Sequence, residues 1–211
     1  MCGVNLGKAA MKNHLIKFHE DKVGEECRLV KIEGAYNKDY WLYLDIPAEK
    51  TLSSVDAFLR KIWLECCGHM SEFYTGSKPG YSPTRRPLNL GRKLSSFVTG
   101  EKFFHDYDFG STTVSTLTIV GTIKRKPQKE SIRLLARNVP EIFQCAACKE
   151  TADYICTECV HNSDNPFYCA ECAQEHECEM MLSITNSPRM GECGYCGEND
   201  TFAFNPALYQ K

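Results

Sequence analysis

No segment of this 211-residue chain approaches the ~20 consecutive apolar residues that a bilayer-spanning helix needs, so no membrane partner is expected. Met1 to Lys12 hold no apolar run of the signal-peptide kind. The expected compartment is therefore the reducing cytoplasm, where paired thiols bind metal instead of oxidising. A glycine-rich phosphate loop, a nucleophile elbow and a His-Glu-x-x-His helix are all missing, and with them the familiar enzyme signatures. No residue is assigned a catalytic or organic-cofactor role on this basis. Basic charge is scarce in one region: residues 141–211 hold 3 Lys and Arg against 12 Asp and Glu, whereas residues 1–140 hold 22 against 15. The formal net charge of −2 thus hides +7 in front and −9 behind. Any nucleic-acid face is expected in the first 140 residues.

What the chain has in abundance is cysteine. Nine of its thirteen stand in the last 67 residues, and eight of these form four Cys-x2-Cys pairs: Cys145 and Cys148, Cys156 and Cys159, Cys169 and Cys172, Cys193 and Cys196. His176 and Cys178 follow the third pair. A thiolate pair at this spacing grips a tetrahedral ion through a tight turn, and two such pairs close the site. Zinc is the expected cofactor, with two ions in the tail. Pairs that alternate along a chain invite a cross-braced domain. The first and third pairs would then hold one ion, and the second pair with His176 and Cys178 the other. Sequential pairing, with Cys145, Cys148, Cys156 and Cys159 on one ion, is the competitor. Interleaving resembles the B-box and similar ring-like modules. Cys193 and Cys196 are left to replace Cys178, to join a third incomplete site, or to stand as an unligated knuckle-like turn. Four ligands per ion leave no open position, which points to structural zinc.

At the front, Cys2, His14 and His19 have the spacing of the back half of a two-cysteine, two-histidine finger, with both imidazoles on one helical face. The missing cysteine would fall two positions upstream of Met1, so the spacing implies a natural start further upstream. Two alternatives stand beside this reading: Cys27 completes the site, or the segment is an amphipathic helix docked through Leu15 and Phe18. A further ion at this end is the expectation if the finger is real.

Between the two cysteine-bearing ends lies an α+β body. Arg28-Leu-Val-Lys-Ile-Glu and Asp39-Tyr-Trp-Leu-Tyr-Leu-Asp-Ile read as a hairpin. Thr51 or Ser53 caps a helix on which Leu52, Val55, Phe58, Leu59, Ile62 and Cys66 recur at three- and four-residue steps. Residues 77–87 have loop composition, and strands are expected over residues 103–108, 112–124 and 132–136. The fold class is thus α+β: a mixed or antiparallel sheet with one main helix, a partial finger in front and a small cross-braced zinc domain behind. The expected boundaries are 1–20, 27–138 and 141–200.

Several side chains in the body invite chemistry. Cys67 and His69 could join a metal with His105, but Cys66 continues the apolar stripe and Gly68 suits a helix end. Asp106 and Asp108 flank Tyr107 at a strand end, where a structural corner is the simpler reading than a catalytic pair. Basic clusters at Arg85-Arg86, Arg92-Lys93 and Lys124-Arg125-Lys126 suit phosphates, and Tyr81 and Phe97 could stack on unpaired bases.

Three segments, Trp63-Leu-Glu-Cys66-Cys67-Gly68-His69, Tyr107-Asp-Phe-Gly-Ser-Thr-Thr113 and Asn186-Ser-Pro-Arg-Met-Gly-Glu-Cys-Gly-Tyr195, resemble the plasmid ORF-3-like family, first named from a root-inducing plasmid, and its insertion-element passenger relatives. The resemblance covers most of residues 27–196 and implies a compact α+β body, cysteine-rich ends and a link to mobile DNA. It does not imply a recombinase, since no serine or tyrosine recombinase constellation is present.

These observations lead to one expectation: a non-enzymatic zinc adaptor that binds nucleic acid, or a nucleic-acid-bound partner, through its basic front. The alternatives are a protein-interaction module that docks a basic partner on its acidic zinc tail, and a metalloenzyme using Cys67, His69, His105 and Asp108.

Overall fold

The computed structural model describes residues 4–127 and 131–202, which fall into two compact units. The first is built from residues 4–58, 70–127 and 131–138, and the second from 59–69 with 139–202. Residues 59–69 therefore group with the cysteine-rich tail and not with the α+β body. Among the described residues no helix is long and apolar enough to cross a membrane.

The first unit is a seven-stranded antiparallel sheet. Its strands are β1 (Glu25–Gly34), β2 (Trp41–Pro47), β3 (Ser71–Thr75), β4 (Arg86–Leu88), β5 (Lys102–Tyr107), β6 (Thr113–Arg125) and β7 (Arg133–Arg137), in the order β4-β3-β5-β6-β1-β2-β7. The large antiparallel sheet with few helices is the α+β class read from the sequence. Aromatic and β-branched residues make β1, β2 and β6 long, and Cys27, Leu29, Val30 and Ile32 of β1 are completely buried. The β1–β6 register shifts at Leu29/Val30, where Val120 of β6 is the extra residue, and Leu29 packs under α1 with Tyr43 while its neighbour Val30 is buried on the opposite face of the sheet. The loop composition of 77–87 gives way at its end to β4, where Pro87 is tolerated because β4 is an edge strand.

Helix α1 (Lys8–Phe18) docks on the sheet through Met11 and Leu15, which pack with Leu29 and Tyr43. The Tyr43 hydroxyl donates to the Lys8 carbonyl at 2.9 Å, and Lys8 Nζ pairs with Glu33 at 2.8 Å. Phe18 is exposed, so Leu15 and not Phe18 is the docking residue. Helix α2 (Leu52–Leu59) buries Leu52 and Val55, and its Asp56 accepts from Ser71 Oγ at 2.7 Å.

Helix α2 runs on into a π-helical turn over Arg60–Leu64, closed by the Glu65 N–H on the Arg60 carbonyl at 2.9 Å. Ile62, Trp63 and Leu64 are completely buried. The rest of the second unit holds a three-stranded sheet of β8 (Tyr154–Cys156), β9 (Phe167–Tyr168) and β10 (Met181–Ser183), in the order β10-β8-β9. Helix α3 (Ala170–Gln174) starts directly after Cys169. Phe143 stacks on Phe167 at 3.9 Å between ring centroids, and Ile155 and Ala152 are buried. So small an apolar core does not stabilise a domain of this size without another source of cohesion.

Candidate metal centres

Three groups of Cys and His converge among the described residues, and in each the four ligand atoms lie within 4.8 Å of one another. The first is Cys145, Cys148, Cys169 and Cys172; the second is Cys156, Cys159, His176 and Cys178; the third is Cys66, Cys67, His69 and Cys193. All three could hold a metal ion.

The first two interleave along the chain. Each Cys-x2-Cys turn aims both sulfurs one way, and the small sheet sets the turns opposite one another. Ala146 N–H donates to the Phe167 carbonyl at 2.8 Å and so holds the first turn beside β9, which leads into Cys169. Lys149, directly after Cys148, adopts a left-handed backbone with φ of 70°, which reverses the chain behind the ligand pair. In the second group Cys159 N–H donates to Cys156 Sγ at 3.4 Å, and the Tyr168 ring lies 4.2 Å from that of His176. Within the first group Cys148 and Cys169 Sγ are 3.7 Å apart, and within the second Cys159 Sγ stands 3.3 Å from His176 Nε2 and 3.9 Å from Cys178 Sγ.

The thiols titrate unevenly. Burial pushes Cys145 up, but backbone N–H donors from Cys148, Cys169 and Ala147 outweigh it and bring it down to about 6. Cys172 is held up by hydrogen bonding with Cys169, Cys145 and Cys148. Burial, with hydrogen bonds to Cys156 and Cys159, pushes Cys178 up to about 12. Crowded thiols cannot all ionise side by side; a divalent cation among them removes the conflict and displaces the protons.

The third group draws on Cys66, which the sequence pattern places in an apolar stripe, and on Cys67 and His69, which stand beside it at the end of the helical segment. Cys193 joins it, while Cys196 is half-buried and belongs to none of the three groups. His105 does not join: it is completely buried in β5, with Nε2 2.8 Å from Asp56. Asp108 has a left-handed backbone with φ of 64°, and its Oδ1 accepts the Gly110 N–H at 2.8 Å, a turn-forming contact. Asp106 accepts from the Tyr74 hydroxyl and from Arg85. Neither carboxylate stands in a converging group.

At the front, His14 and His19 turn their Nε2 atoms to within 3.1 Å of each other. Cys2 lies outside the described residues. Cys27 is completely buried against Arg125 and belongs to no converging group.

The basic clusters are largely engaged inside their own unit. Arg85 pairs with Glu72 and, at 2.7 Å, with Asp106, and lies over the Tyr74 ring at 3.5 Å. Arg125 is completely buried and does not present its guanidinium to a phosphate. Arg92 stacks on Phe97 at 3.9 Å beside Glu101, and Lys93 pairs with Glu49 at 2.6 Å. Arg86, Lys124 and Lys126 remain at the exposed surface. On the tail the exposed charge is mostly acidic: Glu158, Asp164, Glu171, Glu175, Glu177 and Glu179 all face solvent, against the exposed Lys149.

No protein-family model matches the chain, and no curated protein does. Among solved structures it is similar to MM3350, a protein of unknown function from Methanosarcina mazei Go1, at 18% identity over 56% of this chain and 74% of that one, with a TM-score of 0.45.

Proposed function

We propose that this protein is a non-enzymatic adaptor whose cysteine-rich unit is folded around structural zinc and docks a basic segment of a protein partner. The observation that carries the reading is the pair of interleaved four-donor groups. On a tetrahedral zinc with Zn–S of about 2.3 Å and Zn–N of about 2.0 Å, sulfurs stand about 3.8 Å apart and a sulfur and a nitrogen about 3.5 Å apart. The separations of 3.7, 3.9 and 3.3 Å fit that spacing. Four protein donors fill each coordination sphere and leave no position for a reacting water, so the ions serve the fold.

Charge selects the partner class. A divalent ion on four thiolates leaves about −2, and on three thiolates and an imidazole about −1, so the loaded unit stays acidic. The exposed Met180 stands beside Glu177 and Glu179, an apolar contact within an acidic field. A basic peptide would be steered to this face. The link to mobile DNA implied by the family resemblance fits a partner of the nucleic-acid-bound kind, whose own basic segments offer such a ligand.

The test is titration of the zinc-loaded chain with a labelled lysine- and arginine-rich peptide, an acidic control peptide, and single- and double-stranded DNA and RNA, over a salt series. Binding of the basic peptide alone, falling with salt and lost in an E171K/E175K/E177K variant, is the expected result. Salt-sensitive nucleic-acid binding that is abolished by R86E/K124E/K126E would overturn the choice of partner in favour of the basic front.

A further inference from the structure

Two of the three converging groups suffice for the function above, and the third makes a separate case. We infer that Cys66, Cys67, His69 and Cys193 form a third structural zinc site, which clamps the turn after the π-helical segment to the Cys193-x2-Cys196 knuckle.

The distances have the right scale. Cys67 and Cys193 Sγ are 3.5 Å apart, Cys66 and Cys67 Sγ 3.6 Å, His69 Nε2 and Cys193 Sγ 3.5 Å, and Cys67 Sγ and His69 Nε2 3.0 Å. Around a tetrahedral zinc about 3.8 Å and 3.5 Å are expected. The backbone has also been shaped to bring these atoms together. Gly68 takes a φ of +78°, which folds Cys67 and His69 back toward a common point, and its N–H is held by the Glu65 carboxylate at 2.5 Å. Cys193 itself sits at a φ of 53°, a conformation that a side-chain-bearing residue keeps only where its surroundings impose it. A bond from its Sγ to a metal supplies such a constraint.

Both ligand-bearing segments are fixed to each other by bonds that do not involve the ligands. Trp63 Nε1 donates to the Asn186 carbonyl at 3.1 Å, Ser187 Oγ donates to the Trp63 carbonyl at 2.6 Å, and the Tyr195 hydroxyl donates to the Ile62 carbonyl at 3.4 Å. The donor atoms are thus preorganised. Three thiolates and one imidazole around a divalent ion leave about −1. The completely buried Arg189 donates to Cys66 Sγ at 3.5 Å and offsets that charge from behind the site. This contact also argues for Cys66 over Cys196 as the fourth ligand.

The experiment is cadmium-113 NMR on the full chain reconstituted with that ion, read beside zinc counts by native mass spectrometry. The expected spectrum has one four-sulfur resonance and two three-sulfur, one-nitrogen resonances, one of the latter correlated with the β-protons of Cys66, Cys67 and Cys193. An ion on His14 and His19 would give a nitrogen-rich resonance and is not confused with these. Native mass should show one zinc fewer in C67S and in H69Q, and an unchanged count in C196S. A single three-sulfur resonance would overturn the site, and zinc loss in C196S with none in C66S would overturn its ligand set. Should C67S fail to fold, the spectrum of the unaltered chain decides alone.

Discussion

The Arg125 guanidinium donates from Nε to Cys27 Sγ at 3.1 Å, and both side chains are completely buried. Its Nη2 donates to the Ser131 carbonyl at 2.7 Å, and its Nη1 stands 3.5 Å from Asp45, which is itself completely buried. Arg133 closes the other side of Asp45, with Nε 2.9 Å from Oδ2. A basic residue in a surface-like Lys-Arg-Lys run is thus part of a buried charge network joining β1, β2, β6 and β7.

Removal of Asp45 would take from the buried Arg125 its completely buried carboxylate and leave it the part-exposed Glu25 at 3.5 Å. D45A is expected to lower stability by about 3–5 kcal/mol, the cost of breaking a buried pair from one side. A K124E/K126E variant, altering the two exposed neighbours, should stay within about 0.5 kcal/mol of the parent. Urea unfolding followed by far-UV circular dichroism distinguishes the two, and equal effects would contradict the buried network.

Glu33 gives the sheet a pH dependence of known sign. Burial pushes its carboxyl up, but hydrogen bonds from Lys31 at 2.6 Å and Lys8 at 2.8 Å outweigh this and hold it below the ordinary value of 4.5. A carboxylate depressed in the folded state contributes stability that is fully present above the unfolded value and lost as pH falls through the folded one. E33Q should therefore be less stable than the parent at pH 7, by about 1–2 kcal/mol. That gap should close as pH is lowered beneath 4.5, which paired denaturation curves at pH 7 and pH 3 would show.

The sequence showed the sheet's long strands because their alternation is strong, and it showed the tail pairs because ligand spacing is local. It hid β3, whose Ser71-Glu-Phe-Tyr-Thr75 is short with polar ends, and β4, whose proline argues against a strand until the edge position is known. Arg125 was legible in principle: in a strand, alternate residues face opposite sides, so a buried Ile123 places Arg125 inside and Lys124 and Lys126 outside. Composition of the triplet concealed that period. Cys66 and Cys193 could not be paired by spacing, since 127 positions separate them and only the fold closes that distance.

Chelation should act on one unit and spare the other. With zinc removed, the amides of β8, β9 and β10 should exchange with solvent at rates near those of an unfolded chain, because their apolar core is too small to hold them. The central strands β1, β5 and β6 should keep their protection. Hydrogen exchange read by mass spectrometry, with and without a chelator, tests this; retained protection in the tail strands would mean that the metal is not what folds them.

Zinc affinity of the second group should rise with pH. Cys178, pushed up to about 12, is protonated at neutral pH and must release its proton to bind. Each such proton makes affinity increase about tenfold per pH unit while pH stays below the thiol's own value. In the first group, by contrast, Cys145, brought down to about 6, is already a thiolate at pH 7 and adds to that group's slope only in acid. Competition with a chromogenic chelator between pH 6 and pH 8 should therefore show a positive slope, and a flat profile would mean that the thiols are preionised.

Trp63 is the largest completely buried side chain of the second unit and fastens its two chain segments by an indole N–H and a main-chain carbonyl. Truncation to alanine removes packing around a site that cannot fully collapse, at a cost of about 3–5 kcal/mol. W63F retains most of the volume but removes the buried indole donor to the Asn186 carbonyl, at about 1–3 kcal/mol. S187A removes only the hydroxyl donor to the Trp63 carbonyl and should cost about 1 kcal/mol. Thermal unfolding of the zinc-loaded chain should therefore rank the variants W63A, W63F and S187A from least to most stable. Equal stability of W63A and the parent would mean that the metal sites alone hold residues 59–69 to the tail.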